Sequence, residues 1–145
     1  MKNSLVLTIS ILCVHILYAQ NSPDAILGKW ITETGNCIVD VFKIKDEYRA
    51  SVVWFKDTGN KPMTEWTDEH NPDKSLRTRK LLGMEVLRGL QFNPRENEYT
   101  GGVIYDATTG KKWNSVVWLT HDHLLKVKGY WLFRWICQTK TFKKV

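Results

Sequence analysis

Apolar and polar residues alternate along most of this chain with a period of two, which sends successive side chains of a strand to opposite faces. Residues 48–55 show it clearly: Ala50, Val52 and Trp54 share one face, and Ser51, Val53 and Phe55 the other. Residues 111–120 repeat it, with Trp113, Val117 and Leu119 set against Val116 and Trp118. Residues 27–32, 37–44, 81–90, 98–106, 124–131 and 134–144 also read as extended, with Gly83 and Gly89 marking irregularity in the fourth run. Gly101 and Gly102 predict a bulge or a close approach in the fifth. No window carries a helical period. Clusters of Gly, Asn, Asp, Pro and Lys punctuate the runs at 33–36, 45–47, 93–97, 107–110 and 121–123.

About eight strands at a spacing of roughly 8–12 residues form the signature of an all-β sandwich or barrel. Short connections favour pairing between sequence neighbours, which makes a meander. Closing an eight-stranded meander removes its sheet edges. The predicted fold is therefore an all-β, antiparallel up-and-down barrel of about eight strands. Such a barrel has room for core side chains or for one small ligand. One interval breaks the rhythm. Residues 56–80 are polar and rich in turn formers, and carry Arg77, Arg79 and Lys80 against Asp68, Glu69 and Asp73. They predict one long loop between the third and fourth strands.

At 145 residues, 43% apolar and 25% charged, the chain has the size of one domain and the composition of a soluble globular protein. The net charge of +6 is spread along the chain rather than gathered into runs, so it carries no nucleic-acid footprint. The N-terminus adds a compartment. Lys2 precedes a nearly apolar run from Ser4 to Tyr18, succeeded by Ala19, Gln20, Asn21, Ser22 and Pro23. This is the pattern of a secretory signal peptide over residues 1–19, cut after Ala19, leaving a single domain over 20–145. The apolar run is shorter than the roughly 20 residues a spanning helix needs. No transmembrane segment is expected in the mature chain, which would be periplasmic or extracellular. Cys37 and Cys137 would remain, one near each end of the mature chain. An oxidising compartment favours a disulfide between them if the first and last strands meet; the alternative is two buried free thiols.

Gly28-Lys29-Trp30 at the first strand resembles the Gly-x-Trp opening of lipocalins. That resemblance implies a tryptophan closing one barrel end under a basic side chain from the last strand, with Arg134, Lys143 or Lys144 as the cation. A longer set of residues resembles the exported bacterial proteins grouped as the domain of unknown function 2147 family. It runs through Asp68, Asn71-Pro72-Asp73, Leu76-Arg77, Leu82-Gly83, Gly101-Gly102, Ile104-Tyr105-Asp106, Gly110-Lys111, Leu125, Val127 and Gly129-Tyr130. It implies a small exported lipocalin-like β-barrel and no established activity. Ala107, Phe142 and Lys144 depart from that family's usual proline, tryptophan and arginine.

Candidate chemistry sits in three places. In the long loop, Asn71-Pro72 starts a turn and Asp73 can cap the residues beyond it. Arg77 there presents a planar fork suited to a carboxylate or phosphate, or pairs with Asp68 or Asp73 to staple the loop down. Tyr105 offers a hydroxyl, and Trp54 an apolar wall, if their faces are internal. Lys126 belongs to a C-terminal concentration of cations that also includes Lys128, Lys140 and Lys144. That concentration is either a solvated exterior or an attraction to anionic surfaces or headgroups. His121 and His123 lie in a turn with no third ligand fixed nearby, and no metal or other cofactor is expected. No nucleophile elbow, phosphate-binding glycine loop or zinc motif occurs, so an enzyme is not expected.

Together these residues point to a binding module for a small, partly apolar ligand, with or without an acidic group. Trp54, Asn71, Asp73, Arg77, Tyr105 and Lys126 are its candidate contacts. The alternative is an envelope protein-interaction module with a filled core, docking through its long loop.

Overall fold

Eight antiparallel strands close into a barrel in the computed structural model, which describes residues 22–57, 59, 61–130 and 137–145. The strands are β1 (Gly28–Thr32), β2 (Cys37–Ile44), β3 (Glu47–Phe55), β4 (Glu85–Asn93), β5 (Glu98–Asp106), β6 (Lys111–Leu119), β7 (Leu125–Tyr130) and β8 (Cys137–Lys144). Each pairs with its sequence neighbours, and β8 returns to β1 with Trp30 opposite Lys144. The up-and-down barrel and the long connection between the third and fourth strands are as the alternation and the breakers predict. The signal peptide expected over residues 1–19 and the expected role of Arg134 lie outside the described residues. Among the described residues, no helix is long and apolar enough to cross a membrane.

Alternation decides what faces the lumen, with one informative exception. Along β3, Tyr48, Ala50 and Val52 are buried. Opposite them, Val39 pairs with Val52 but Ile38 pairs with Trp54, so β3 carries one extra residue there. This bulge shifts the phase of the strand end. Phe55 then lines the lumen, while Trp54 stands outside, 36% exposed. The expectation that Trp54 shares a face with Val52 fails for this reason.

The two ends of the barrel differ. At one end Ile26 and Trp30 are buried beneath Tyr48, Leu90 and Tyr99. Trp30 Nε1 donates to the Ile26 carbonyl at 2.7 Å, and the Lys144 ammonium lies 4.6 Å from the centre of a Trp30 ring while bonding the Leu27 carbonyl. This closes the floor as the Gly-x-Trp resemblance implies, with Lys144 as the cation. Tyr99 stacks edge-on to Tyr48 at 5.1 Å, and its hydroxyl donates to the Pro23 carbonyl at 2.6 Å. The opposite end is open among the described residues. It is rimmed by the β1–β2 turn, the long β3–β4 loop and the β5–β6 turn.

Candidate functional site

The lumen above the floor is hollow. Its upper chamber measures about 440 Å³, within the size range of small-molecule sites. Val39, Val52, Phe55, Met84, Val86, Ile104, Trp113 and Val127 are among the residues of its mainly apolar wall. Below it lies a smaller space of about 80 Å³, bounded by apolar residues including Val41, Ala50, Leu87, Leu90 and Val117. The two share Val39, Val86, Ile104, Val127 and Phe142, which line the boundary, or neck, between them. Among the described residues, side chains therefore do not fill the upper lumen.

Polar groups enter the upper chamber near its rim. Thr32, Asn36, Asp106 and Thr108 come from the strand ends and turns, and Gln138 and Lys140 from β8. The β7–β8 register explains the last two. Leu125 pairs with Phe142, Val127 with Lys140 and Gly129 with Gln138, so these β8 residues share the inward face of their partners. Lys140 is the cation of the lining among the described residues, and it makes no ion pair or side-chain hydrogen bond with them. It is close enough to act on its neighbours. Burial pushes the Cys37 thiol up, and the Lys140 charge pulls against that shift. Burial likewise raises the Asp106 carboxyl, but hydrogen bonds from Thr108 and Thr109, helped by Lys140, hold it below its ordinary value. Asp106 is already engaged: Oδ1 accepts from the Thr108 amide at 3.0 Å and hydroxyl at 2.6 Å, and Oδ2 from Thr109 Oγ1 at 2.9 Å.

A second polar cluster fixes one side of the mouth. Asp68, fully buried in the long loop, accepts from Tyr105 Oη at 2.6 Å, Asn71 Nδ2 at 2.7 Å and Arg79 Nη2 at 2.7 Å. Burial pushes its carboxyl up, but these three donors and the Arg79 charge outweigh it and hold the net pKa below the ordinary value. Tyr105 shows the complement: burial, together with its bond to Asp68, raises its hydroxyl to about 12. The loop also presses on the β5–β6 turn. Gly110 has φ +69°, and a Cβ built there would lie 2.0 Å from the His70 carbonyl oxygen. Only glycine fits that contact.

The structure separates the residues singled out in the sequence. Tyr105 lines the chamber, but its hydroxyl is committed to Asp68. Asn71 is buried in the same cluster, and its Oδ1 accepts from the Asp73 amide at 2.9 Å. Asp73 caps the short 3-10 turn Lys74–Leu76 by accepting from the Ser75 amide at 2.9 Å. Arg77 is exposed and donates through Nε to the Asn71 carbonyl at 2.8 Å. The cation that staples the loop through Asp68 is Arg79. Lys126, opposite Thr141 on the outer face, donates to its hydroxyl at 2.6 Å and does not reach the lumen. Trp54 is outside as well.

Cys37 and Cys137 are free. Cys37 faces the chamber, whereas Cys137 pairs with Tyr130, one residue out of phase with the inward Gln138. The barrel wall lies between the two thiols, so of the two alternatives the structure has the free thiols, with Cys137 exposed rather than buried. Lys140 is not legible as a site residue in the sequence, because β8 has almost no apolar signal. Its one clue is Phe142, since residues two and four positions before it share its face.

The model for uncharacterized proteins conserved in bacteria, domain of unknown function 2147, matches residues 28–144, and the chain belongs to that family. A search of curated proteins found no match. Among solved structures, the chain is similar to protein HP1028 from the human pathogen Helicobacter pylori, described as belonging to the lipocalin family. The identity is 22%, the TM-score 0.68, and 82% of each chain is covered. At that identity the likeness establishes the shared fold.

Proposed function

We propose that this member of the family is an exported binding protein that holds a small, mainly apolar molecule in its barrel lumen. The observation that carries the proposal is the open upper chamber of about 440 Å³, whose wall is mostly aliphatic and aromatic with polar groups gathered at the rim. An apolar solute entering it leaves water at about 25 cal/mol per Å² of buried apolar surface. The closed floor prevents passage through the barrel, so the site is a cup rather than a channel. Support for export comes from the basic, apolar, then small-residue order of residues 1–19. The likeness in fold to a protein described as a lipocalin supports the same function.

Native mass spectrometry of the mature protein purified gently from its own host is the first test. A bound small molecule lost on denaturation is expected, on a chain beginning near Gln20. Alkylation supplies an internal control. An occupant should shield Cys37, which lines the chamber, and leave Cys137 reactive on the outer face. Val127→Trp builds into both chambers and should abolish binding of a fluorescent apolar probe. Undiminished probe binding by a folded Val127→Trp protein would overturn the lumen as the site.

A further inference from the structure

We infer that the lumen selects a single-chain anionic amphiphile, with its head held by Lys140 and its unbranched tail passing the neck into the lower space. The inference deepens the binding function proposed above and rests on it.

The head is assigned by a lysine in the cup that acts on Asp106 and Cys37 through its charge but makes no ion pair or side-chain hydrogen bond among the described residues. Along the inward face of β8 the order from mouth to floor is Gln138, Lys140, Phe142, and then Lys144 over Trp30. Lys144 is taken up by Trp30 and the Leu27 carbonyl. Lys140 has an apolar wall below it and no ion pair among the described residues. Its long stem can lie along that wall while the ammonium stays toward the wet rim. Asp106 shares the rim, but its carboxylate oxygens accept three bonds from the Thr108–Thr109 turn. An incoming anion would therefore meet an available ammonium and a neutral donor, Gln138, with the rim carboxylate already satisfied. An incoming cation would have to compete with that turn for Asp106 while sitting beside Lys140.

The tail is assigned by shape. The lower space is about 80 Å³, is bounded by apolar side chains, and adjoins the upper chamber at a neck whose shared wall includes Phe142 and Val127. It can admit a few methylenes of one chain. A ring system or a second acyl chain would be confined to the upper chamber and would leave the lower space empty. The distance from Lys140 to Phe142, two residues along a strand, is about 7 Å. A head at Lys140 thus places the first methylenes at the neck and the later ones below it.

The experiment measures displacement of a fluorescent apolar probe by alkyl carboxylates, phosphates, alcohols and trimethylammonium compounds of matched chain length, at fixed low salt. The wild-type protein should prefer the anions to the alcohol of equal length by about ten- to a hundredfold, the range expected for one charged hydrogen bond. Trimethylammonium compounds should bind most weakly. The carboxylate and phosphate series separate a free acid from a phosphate-headed lipid, and preference for either supports the inference. Lys140→Gln should erase the preference for anions while alcohols bind as before. Ala50→Leu fills the lower space and should shorten the best chain by about two or three carbons, with head preference intact; Ala50→Val is the milder variant if the leucine unfolds the barrel. Equal binding of anions and alcohols by the wild-type protein, or an anion preference that survives Lys140→Gln, would overturn the head assignment. A chain-length optimum unmoved in both Ala50 variants would overturn the tail. If neither probe nor amphiphile enters the wild-type lumen, the proposed binding function itself fails.

Discussion

The floor and the mouth of this barrel are made by the same eight strands under the same alternation, yet one end is solid and the other hollow. At the floor the inward positions carry Trp30, Tyr48 and Tyr99, and each aromatic has its polar atom satisfied. Trp30 donates to Ile26, Tyr99 to Pro23, and Tyr48 to Asp24 at 2.6 Å. At the mouth, the inward Val39, Val52, Val86 and Val127 are interspersed with Phe55, Met84, Ile104 and Trp113 around an unfilled space, and the rim carries a lysine without an ion partner among the described residues. Large amphipathic rings fill a barrel only if their N–H and O–H groups can reach acceptors, and the 23–27 segment supplies those at one end alone. What closes the mouth's flank is polar instead: a buried carboxylate with three donors.

This contrast can be broken at either end. Trp30→Ala should have the largest effect, costing about 3–5 kcal/mol as expected for deletion of a buried large aromatic. Urea unfolding measures it, and a loss below about 1 kcal/mol would show that the floor is not the barrel's stable end.

Asp68→Ala should come next, at about 3 kcal/mol. This is the lower bound for removing one member of a buried pair, because Arg79 is one-third exposed. Its effect should be local: amides of residues 66–81 lose hydrogen-exchange protection while β1 and β2 keep theirs. The same latch should respond to acid. The Asp68 carboxyl is held below its ordinary value of 3.8. Its contribution is therefore complete above the unfolded pKa and is lost as pH falls through the folded one. Loop protection should drop below about pH 4 in the wild-type protein. Asp68→Asn should remove that acid-dependent step; an unchanged profile would assign it to other carboxylates.

Gly110→Ala should cost about 2 kcal/mol, from the left-handed backbone and the collision with His70. Thermal unfolding would detect it, and a neutral result would mean that the loop can lift from the turn freely. Arg77→Ala should be smallest, about 0.5 kcal/mol or less, with probe binding unchanged, because the side chain is exposed and donates only to a loop carbonyl. Weakened probe binding would restore Arg77 to the site.

Much of the architecture is legible in the residues. Turn clusters at 33–36, 93–97 and 107–110 mark real strand ends, and the breakers from Asp57 onward mark the long loop. Legibility fails where local pattern carries no phase. The bulge in β3 reverses Trp54 and Phe55, and nothing in Val52-Val53-Trp54-Phe55 signals it. Within the loop, Asp68, Asn71 and Arg79 are visible as polar residues. Their meeting with Tyr105, 37 positions away from Asp68, is a product of the barrel.

Alternation, turn residues and length by themselves determine that this chain is an eight-stranded meander, because strand period and turn chemistry act over a few neighbours. Which side of each strand is inside, whether the lumen is filled, and that Lys140 rather than Lys126 or Arg77 faces it, are decided by closure. Pairing β8 against both β7 and β1 sets the phase of a polar strand whose own sequence offers only Phe142 as a clue, and a shift of one residue would exchange every inward side chain for an outward one.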